Sequence, residues 1–305
     1  MTSKEKELLS IVSSLHKIPS GAYNIRLNGK LLSRNSTSDI EIVSQKNNDG
    51  IDVFVKPNTK NKSIHIPVIL SEGGIVDKVF NNFYIGENAE ITIIAGCGIH
   101  NISDKNSSHN GIHTFYLGEN SKVNYIENHF AMGNEDIEKN LNPKTILKLG
   151  KNSSLNMETN QLGGVNNSDR STIATLSENA TLIIKEKILT EEQQKTRTYF
   201  KVNLKGINSK VEVVSRAVAR GVSVQKFDSE IVGENACFGH VECDGILCDR
   251  AVIHSTPKII AKNIDAVLIH EAAIGKISEQ QQNKLMTLGL TREEAEQSII
   301  QGFLN

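Results

Sequence analysis

Tryptophan is absent from this 305-residue chain, and aromatic residues of all kinds make up only 5% of it. A groove walled with aromatic rings, the usual platform for a sugar chain or a row of nucleobases, is therefore not expected. Neither sign of charge is in excess: 34 Lys and Arg stand against 35 Asp and Glu, so the electrostatic footprint of a nucleic-acid partner is missing. No stretch approaches the roughly 18 to 20 apolar residues that a membrane-spanning helix needs. The segment from Met1 to His16 places Lys4, Glu5, Lys6 and Glu7 ahead of its apolar positions, unlike the basic-then-apolar order of a signal peptide. A cytoplasmic protein is expected. Four cysteines are too few for a disulfide scaffold of this length, and in a reducing compartment grouped thiols point to metal or redox chemistry. The chain also lacks a Walker A sequence, a G-x-G-x-x-G loop, an H-E-x-x-H pair and a G-x-S-x-G elbow. No enzyme of those classes is expected, and any nucleotide hydrolysis must come from another protein.

What is present begins with Thr2-x-x-Glu5, a capping-box pattern, followed by Leu8, Leu9, Ile11, Val12 and Leu15 at helical spacing up to Pro19. After that short helix the apolar period becomes two: Tyr23, Ile25 and Leu27, then Ile40 and Ile42, then Ile51, Val53 and Val55, each set bounded by turn residues. A turn sequence then repeats, as Ile85-Gly-Glu-Asn-Ala, Leu117-Gly-Glu-Asn-Ser, Leu149-Gly-Lys-Asn-Ser, Leu176-Ser-Glu-Asn-Ala and Val232-Gly-Glu-Asn-Ala, with a looser copy at Leu204-Lys-Gly-Ile-Asn-Ser. The copies recur every 27 to 32 residues, and a short alternating strand follows each. Gly and Asn both tolerate left-handed backbone angles, so they are expected to turn the corner at the same place in every layer. Such strands cannot bury an apolar face alone, whereas stacked layers bury one continuous core. The pattern predicts an all-β chain organised as a β-helix; an ordinary sandwich has no reason to repeat one turn so often. Segments 101–110 and 193–197 read as polar loops. Ser278-x-x-Gln281 and Thr291-x-x-Glu294 predict two capped helices with Gly289 as the stop between them. The expected division is an N-terminal helix over 1–20, a β-helix over 21–275 and a helical hairpin over 276–305.

Three of the four cysteines fall together, in Cys237-x-x-His240-x-x-Cys243-x4-Cys248, with Glu242, His254, His270 and Glu271 nearby in sequence. Thiolates, imidazoles and carboxylates suit iron or zinc, but the spacing is not that of a paired C-x-x-C site. On one strand Cys237 and Cys243 share a face, and His240 and Glu242 point to the other. Cys243 and Glu271 lie 28 apart, about one repeat, which predicts that they occupy equivalent positions in adjacent layers. Paired carboxylates cleaving a polysaccharide offer another use for a β-solenoid, disfavoured here by the missing signal peptide and the shortage of aromatic rings.

At His270-Glu-Ala-Ala-Ile-Gly-Lys-Ile, followed by Gln281, Leu285, the Gly289-Leu290 stop, Glu293-Glu294-Ala295 and Ile300-x-Gly302-Phe303, the chain resembles the C-terminal signature of the SufB/SufD family of iron–sulfur cluster scaffolds. The resemblance is specific over Gly233 to Phe303 and extends, mainly in the turn repeat, back to Gly74. It implies a right-handed parallel β-helix with a C-terminal helical hairpin, dimerisation through the β-helix and docking of a SufC-like ABC ATPase on the hairpin. Leu285, Met286, Ile299, Ile300 and Phe303 are the expected docking residues. It further implies a transient iron–sulfur cluster, expected as 4Fe–4S, built from a thiolate, a histidine and a glutamate with sulfur from a cysteine desulfurase or other donor, and passed to apo iron–sulfur proteins. Carried onto this sequence, the ligands are Cys243, His270 and Glu271, with Glu242, His240, His254, Cys237 and Cys248 behind them. A flavin has no support. Glu271 resembles the SufB rather than the SufD pattern. The cysteine that SufB carries just after Asp-Arg is Ala251 here, aligned through Asp249-Arg250 and His254-x-x-Pro257, which moves the expectation to Cys243. The long N-terminal helical region of many members is missing, so a minimal version pairing with itself is expected; a cluster-free, SufD-like adaptor for the ATPase is the alternative.

Overall fold

The computed structural model describes residues 1–15, 19–161 and 163–304; residues 16–18, within the segment expected over 1–20, lie outside it. The chain opens with α1 (Ser3–Ser13), β1 (Ala22–Leu27), β2 (Lys30–Asn35), β3 (Ile40–Ser44), β4 (Gly50–Val55), β5 (Lys60–Leu70), β6 (Val76–Ile85) and β7 (Glu90–Asn101). There follow β8 (Ser107–Leu117), β9 (Lys122–Gly133), β10 (Lys139–Leu141), β11 (Lys144–Leu149), β12 (Ser154–Gln161), β13 (Asn167–Leu176) and β14 (Thr181–Thr190). The last part holds β15 (Lys195–Leu204), β16 (Lys210–Ala219), β17 (Val224–Gly233), β18 (Cys237–Leu247), β19 (Val252–Ala261), β20 (Ala266–Lys276), α2 (Glu279–Met286) and α3 (Arg292–Leu304).

Two ten-stranded sheets wind as a β-solenoid of about eight turns. One runs β2-β1-β5-β7-β9-β12-β14-β16-β18-β20, and the other β19-β17-β15-β13-β10-β8-β6-β4-β3 with β11 between β8 and β13. Pairing is parallel except in the β1/β2 and β3/β4 hairpins that begin the stack. Inward Ile, Val and Leu side chains join into one core running from Ala22 and Ile40 through Phe83 and Phe115 to Val241 and Cys243. Side chains alternate along each strand, so every coil contributes the same inward parity and the core is continuous.

The repeated turn works by a division of labour that the sequence expectation merged. Asn88, Asn120, Asn152, Asn179 and Asn208 take the left-handed conformation, with φ between 55° and 57°. Their side chains stack as a ladder, Asn152 Nδ2 donating to Asn120 Oδ1 at 3.1 Å and Asn179 Nδ2 to Asn152 Oδ1 at 2.9 Å. Glycine serves close approach instead: a Cβ on Gly206 would lie 2.0 Å from the Glu178 backbone nitrogen in the coil beneath. The last copy, at Gly233, departs from this form, since Gly233 still belongs to β17 and Asn235 does not take positive φ.

The capping boxes of α1 and α3 form: Thr2 Oγ1 accepts from the Glu5 N–H at 3.2 Å and Thr291 Oγ1 from the Glu294 N–H at 3.2 Å. Ser278 caps α2 by position without a side-chain hydrogen bond. The expected 193–197 loop is shorter than its composition suggested. The turn is over by Gln194, and Lys195 to Arg197 already pair in β15, because Thr196 faces inward and is buried.

Candidate functional site

The final coil stacks with an advance of 29 residues: Cys237 pairs with Ala266, Glu242 with Glu271 and Cys243 with Ala272. The sequence expectation of 28 is one residue short. Because side-chain direction alternates, that single residue carries Glu271 to the face opposite Cys243. Cys243 and His270 both point into the solenoid, whereas His240, Glu242 and Glu271 stand on its outer surface, with His240 Nε2 3.6 Å from Glu271 Oε2. Cys237 is a buried inward neighbour, as the strand parity required. His254 points outward from the second sheet, and Cys248 lies in the turn between β18 and β19. Among the described residues no three His, Cys, Asp or Glu side chains converge as a metal site.

The inner pair has distinct electrostatics. Cys243 is 1% exposed, and burial pushes its thiol up to about 11, with the Ser255 hydroxyl pulling the other way and Glu186 and Asp244 reinforcing the rise. His270 is held below its ordinary value by burial and by the nearby His240 charge. Both of its ring nitrogens are buried and make no hydrogen bond. Such groups lose water without gaining a partner within the chain. On the outside, burial and the adjacent Asp244 carboxylate raise Glu242.

Beneath Cys243 the solenoid carries a polar column that the sequence reading missed. One ladder position reads Glu127, Thr159, Glu186, Ser215 and Cys243 through β9, β12, β14, β16 and β18. Glu186, 1% exposed, accepts from Thr198 Oγ1 at 3.1 Å and from Ser215 Oγ at 2.9 Å, and its Oε1 lies 3.4 Å from Arg170 Nε. Arg170 Nη1 donates to His129 Nδ1 at 2.8 Å. Since Arg170 can only donate, Nδ1 is the acceptor and the imidazole hydrogen sits on Nε2, 3.8 Å from Glu127 Oε1. Burial holds His129 down to about 3, so it stays neutral. Glu127 accepts from the Tyr125 hydroxyl at 2.9 Å, and that oxygen lies 2.9 Å from His113 Nδ1. A cavity of about 10 Å³ lies among Thr145, Thr159, Arg170, Thr172, Glu186 and Thr198. The signal was available: extending the Lys122 and Thr181 strands by parity puts Glu127 and Glu186 on inward positions.

Comparison with known proteins settles the lineage. The model of the SUF system FeS cluster assembly SufBD core domain matches residues 79–303. The chain belongs to the SufBD family. An iron–sulfur cluster assembly SufBD family protein of Archaeoglobus fulgidus is 33% identical over 132 residues, covering 43% of this chain and 36% of its own length. A Pyrococcus horikoshii protein of the same description is 35% identical over 133 residues, 43% of this chain and 41% of the relative. The matches thus take in about two fifths or less of each SufBD relative. The docking residues expected on the hairpin divide: Ile300 is buried, Leu285 and Ile299 are half-buried, Phe303 packs under Arg216, and Met286 faces solvent. Ile300 therefore serves the packing of the hairpin.

Proposed function

We propose that this SufBD protein is a scaffold on which an iron–sulfur cluster is built at the last solenoid coil and then passed on, with an ABC-type ATPase working through the α2–α3 hairpin. The observation that carries the reading is the inward pair at the solenoid's end: a buried thiol at Cys243 and, on the next strand two register positions away and on the same inward face, a His270 imidazole with no hydrogen-bond partner on either nitrogen. The donors are a soft sulfur and an unclaimed imidazole, which suit iron in a sulfur-rich setting. The cluster is cargo. Binding at neutral pH displaces the Cys243 proton, and the metal's affinity has to exceed what burial costs the thiolate.

Glu271 completes the set from elsewhere. It lies on the outer face beside His240, so it serves iron arriving at the outer surface or at a second copy set against this one. Pairing of two copies through the end coil is supported by its exposed apolar side chains, among them Ile259, Val267, Ile269 and Ile274. Sulfur comes from a desulfurase-type donor and the product goes to apo iron–sulfur proteins.

Anaerobic reconstitution with ferrous iron and sulfide tests the assignment. Visible absorption and acid-labile sulfide are expected in the wild type and lost in Cys243→Ala and His270→Ala variants. A wild type without bound sulfide, or a Cys243→Ala protein that loads as well, overturns it. One observation favours a cluster-free adaptor for the ATPase: Ala251 stands where the SufB pattern has cysteine, and Glu271 is on the opposite face from Cys243. Co-purification with an ATPase but without iron or sulfide selects that reading.

A further inference from the structure

Helix α3 meets the solenoid through Arg216 of β16 and Arg220 just past its end. Arg216 Nη1 donates to the Phe303 carbonyl at 2.9 Å, closing the C-terminal end of α3, and its guanidinium lies 5.8 Å from the Phe303 ring centroid. Four residues further, just beyond β16, Arg220 Nη2 is 3.2 Å from Glu296 Oε1. Glu296 in turn stands against the Cys248 thiol, whose pKa it helps to raise. Little apolar surface assists: Ala295 and Ile300 are the buried residues of α3, and Gln282 is that of α2. Attachment of the hairpin is thus dominated by charge-assisted contacts.

Each arginine also has a second acidic neighbour on the solenoid. Arg220 Nη1 lies 3.6 Å from Glu191 Oε1. Arg216 is the ladder partner of Asp244 and its charge acts on Glu242. Detaching α3 therefore leaves neither guanidinium stranded, because Arg220 keeps Glu191 and Arg216 keeps its neighbours Asp244 and Glu242. A contact that can break without leaving an unpaired charge is suited to a switch.

We propose that Arg216 and Arg220 form a latch that holds the α2–α3 hairpin against the end of β16, and that the hairpin leaves the sheet as one lobe when the latch opens, uncovering Cys248. The outward Met286 and Leu288 stay available to a partner while the latch is closed. A partner gripping them can therefore pull the lobe without first displacing it. The latch stands on these contacts alone and holds whether or not Cys243 carries a cluster.

Hydrogen exchange of the α3 amides, with site-resolved alkylation of Cys248, reads the latch directly. In the Arg216→Ala/Arg220→Ala protein, loss of a charge-assisted bond and a partly buried ion pair should speed exchange over 292–304 by about tenfold or more. Cys248 alkylation should rise with it, while Cys97 and Cys243 keep their wild-type rates. In the wild type, raising salt from about 0.05 to about 1 M should quicken α3 exchange in the same direction, because partly exposed pairs are screened. Unchanged α3 exchange in both experiments refutes the latch. So does a parallel rise at Cys97, which reports loosening of the whole solenoid.

Discussion

Arg170→Met removes the cation from the buried column while keeping a side chain of similar length. Arg170 is 5% exposed, 2.8 Å from His129 and 3.4 Å from Glu186, and its charge also acts on Glu127. His129 is neutral, so the positive charge facing the two carboxylates is lost outright. Removing one partner of a buried ion pair costs about 3–5 kcal/mol, because the other charge is left unpaired. For 305 residues at roughly 2.1 cal/mol/K each, that corresponds to a fall in Tm of about 5–8 °C at pH 7. The deficit should depend on pH in a set direction. Glu186 already sits above its ordinary value through burial, with Arg170 the leading opposing influence. Its raised folded pKa means that stability is full below the unfolded value and declines as pH rises through the folded one. Without Arg170 that folded pKa climbs further, and Glu127 rises too, so acidification from pH 7 towards 5 should protonate the column and shrink the gap to wild type. Differential scanning calorimetry of both proteins across that range is the assay. A Tm deficit that is absent at pH 7, or that stays constant or widens on acidification, refutes the charge argument.

Glycine positions should separate by packing rather than by residue type. Gly206→Ala drives a Cβ into the Glu178 backbone and should cost about 1–3 kcal/mol, whereas Gly302→Ala meets nothing within 4 Å inside α3 and should gain up to about 1 kcal/mol; urea denaturation that ranks them otherwise contradicts the corner geometry. With Cys243 pushed up to about 11, its alkylation by iodoacetamide should climb about tenfold per pH unit from 7.5 to 9.5. A plateau near pH 8.5 in peptide mass spectrometry would mean an ordinary thiol. His270→Leu should leave the apo protein as stable as wild type or more so by roughly 1 kcal/mol, since two unpartnered ring nitrogens leave the interior. A clear drop in the apo Tm would show that the imidazole is structural.

The solenoid was legible because its evidence is periodic. Five copies of one turn and the alternation after each fixed the layers without any long-range information. The roles within the turn were not legible, since left-handed φ at Asn88 and steric clearance at Gly118 both select small or flexible residues and leave the same trace. Register in the last coil was missed for a related reason. Coil length varies between 27 and 32 residues, so an offset of 28 falls inside the range, but the face on which Glu271 lands turns on parity, and 29 reverses it. The polar column escaped because Glu127, Arg170 and Glu186 come from strands far apart in sequence, and ordinary burial rules put charged residues outside. Family resemblance pointed to the last coil; it did not say which face each side chain uses.

The column and the end coil make sense together only if stability is not what they serve. Interior positions above and below hold Ile, Val and Leu, and a solenoid of this kind gains from filling every one of them. Glu127, Thr159, Glu186, Ser215 and Cys243 instead occupy a core lane, faced by Arg170 from the other sheet, with groups that lose hydration on folding. Most are paired along the lane, which limits the loss. Hydrogen bonding is incomplete at Thr159 Oγ1 and Arg170 Nε within the column and again at the end, where His270 has no hydrogen-bond partner and Cys243 is held as a neutral thiol. A fold selected for stability alone would finish its last coil with another isoleucine. Ending instead on a thiol and an unclaimed imidazole, beside exposed Ile259, Val267 and Ile269, is the arrangement that the proposed cargo site and the proposed pairing of two copies would use.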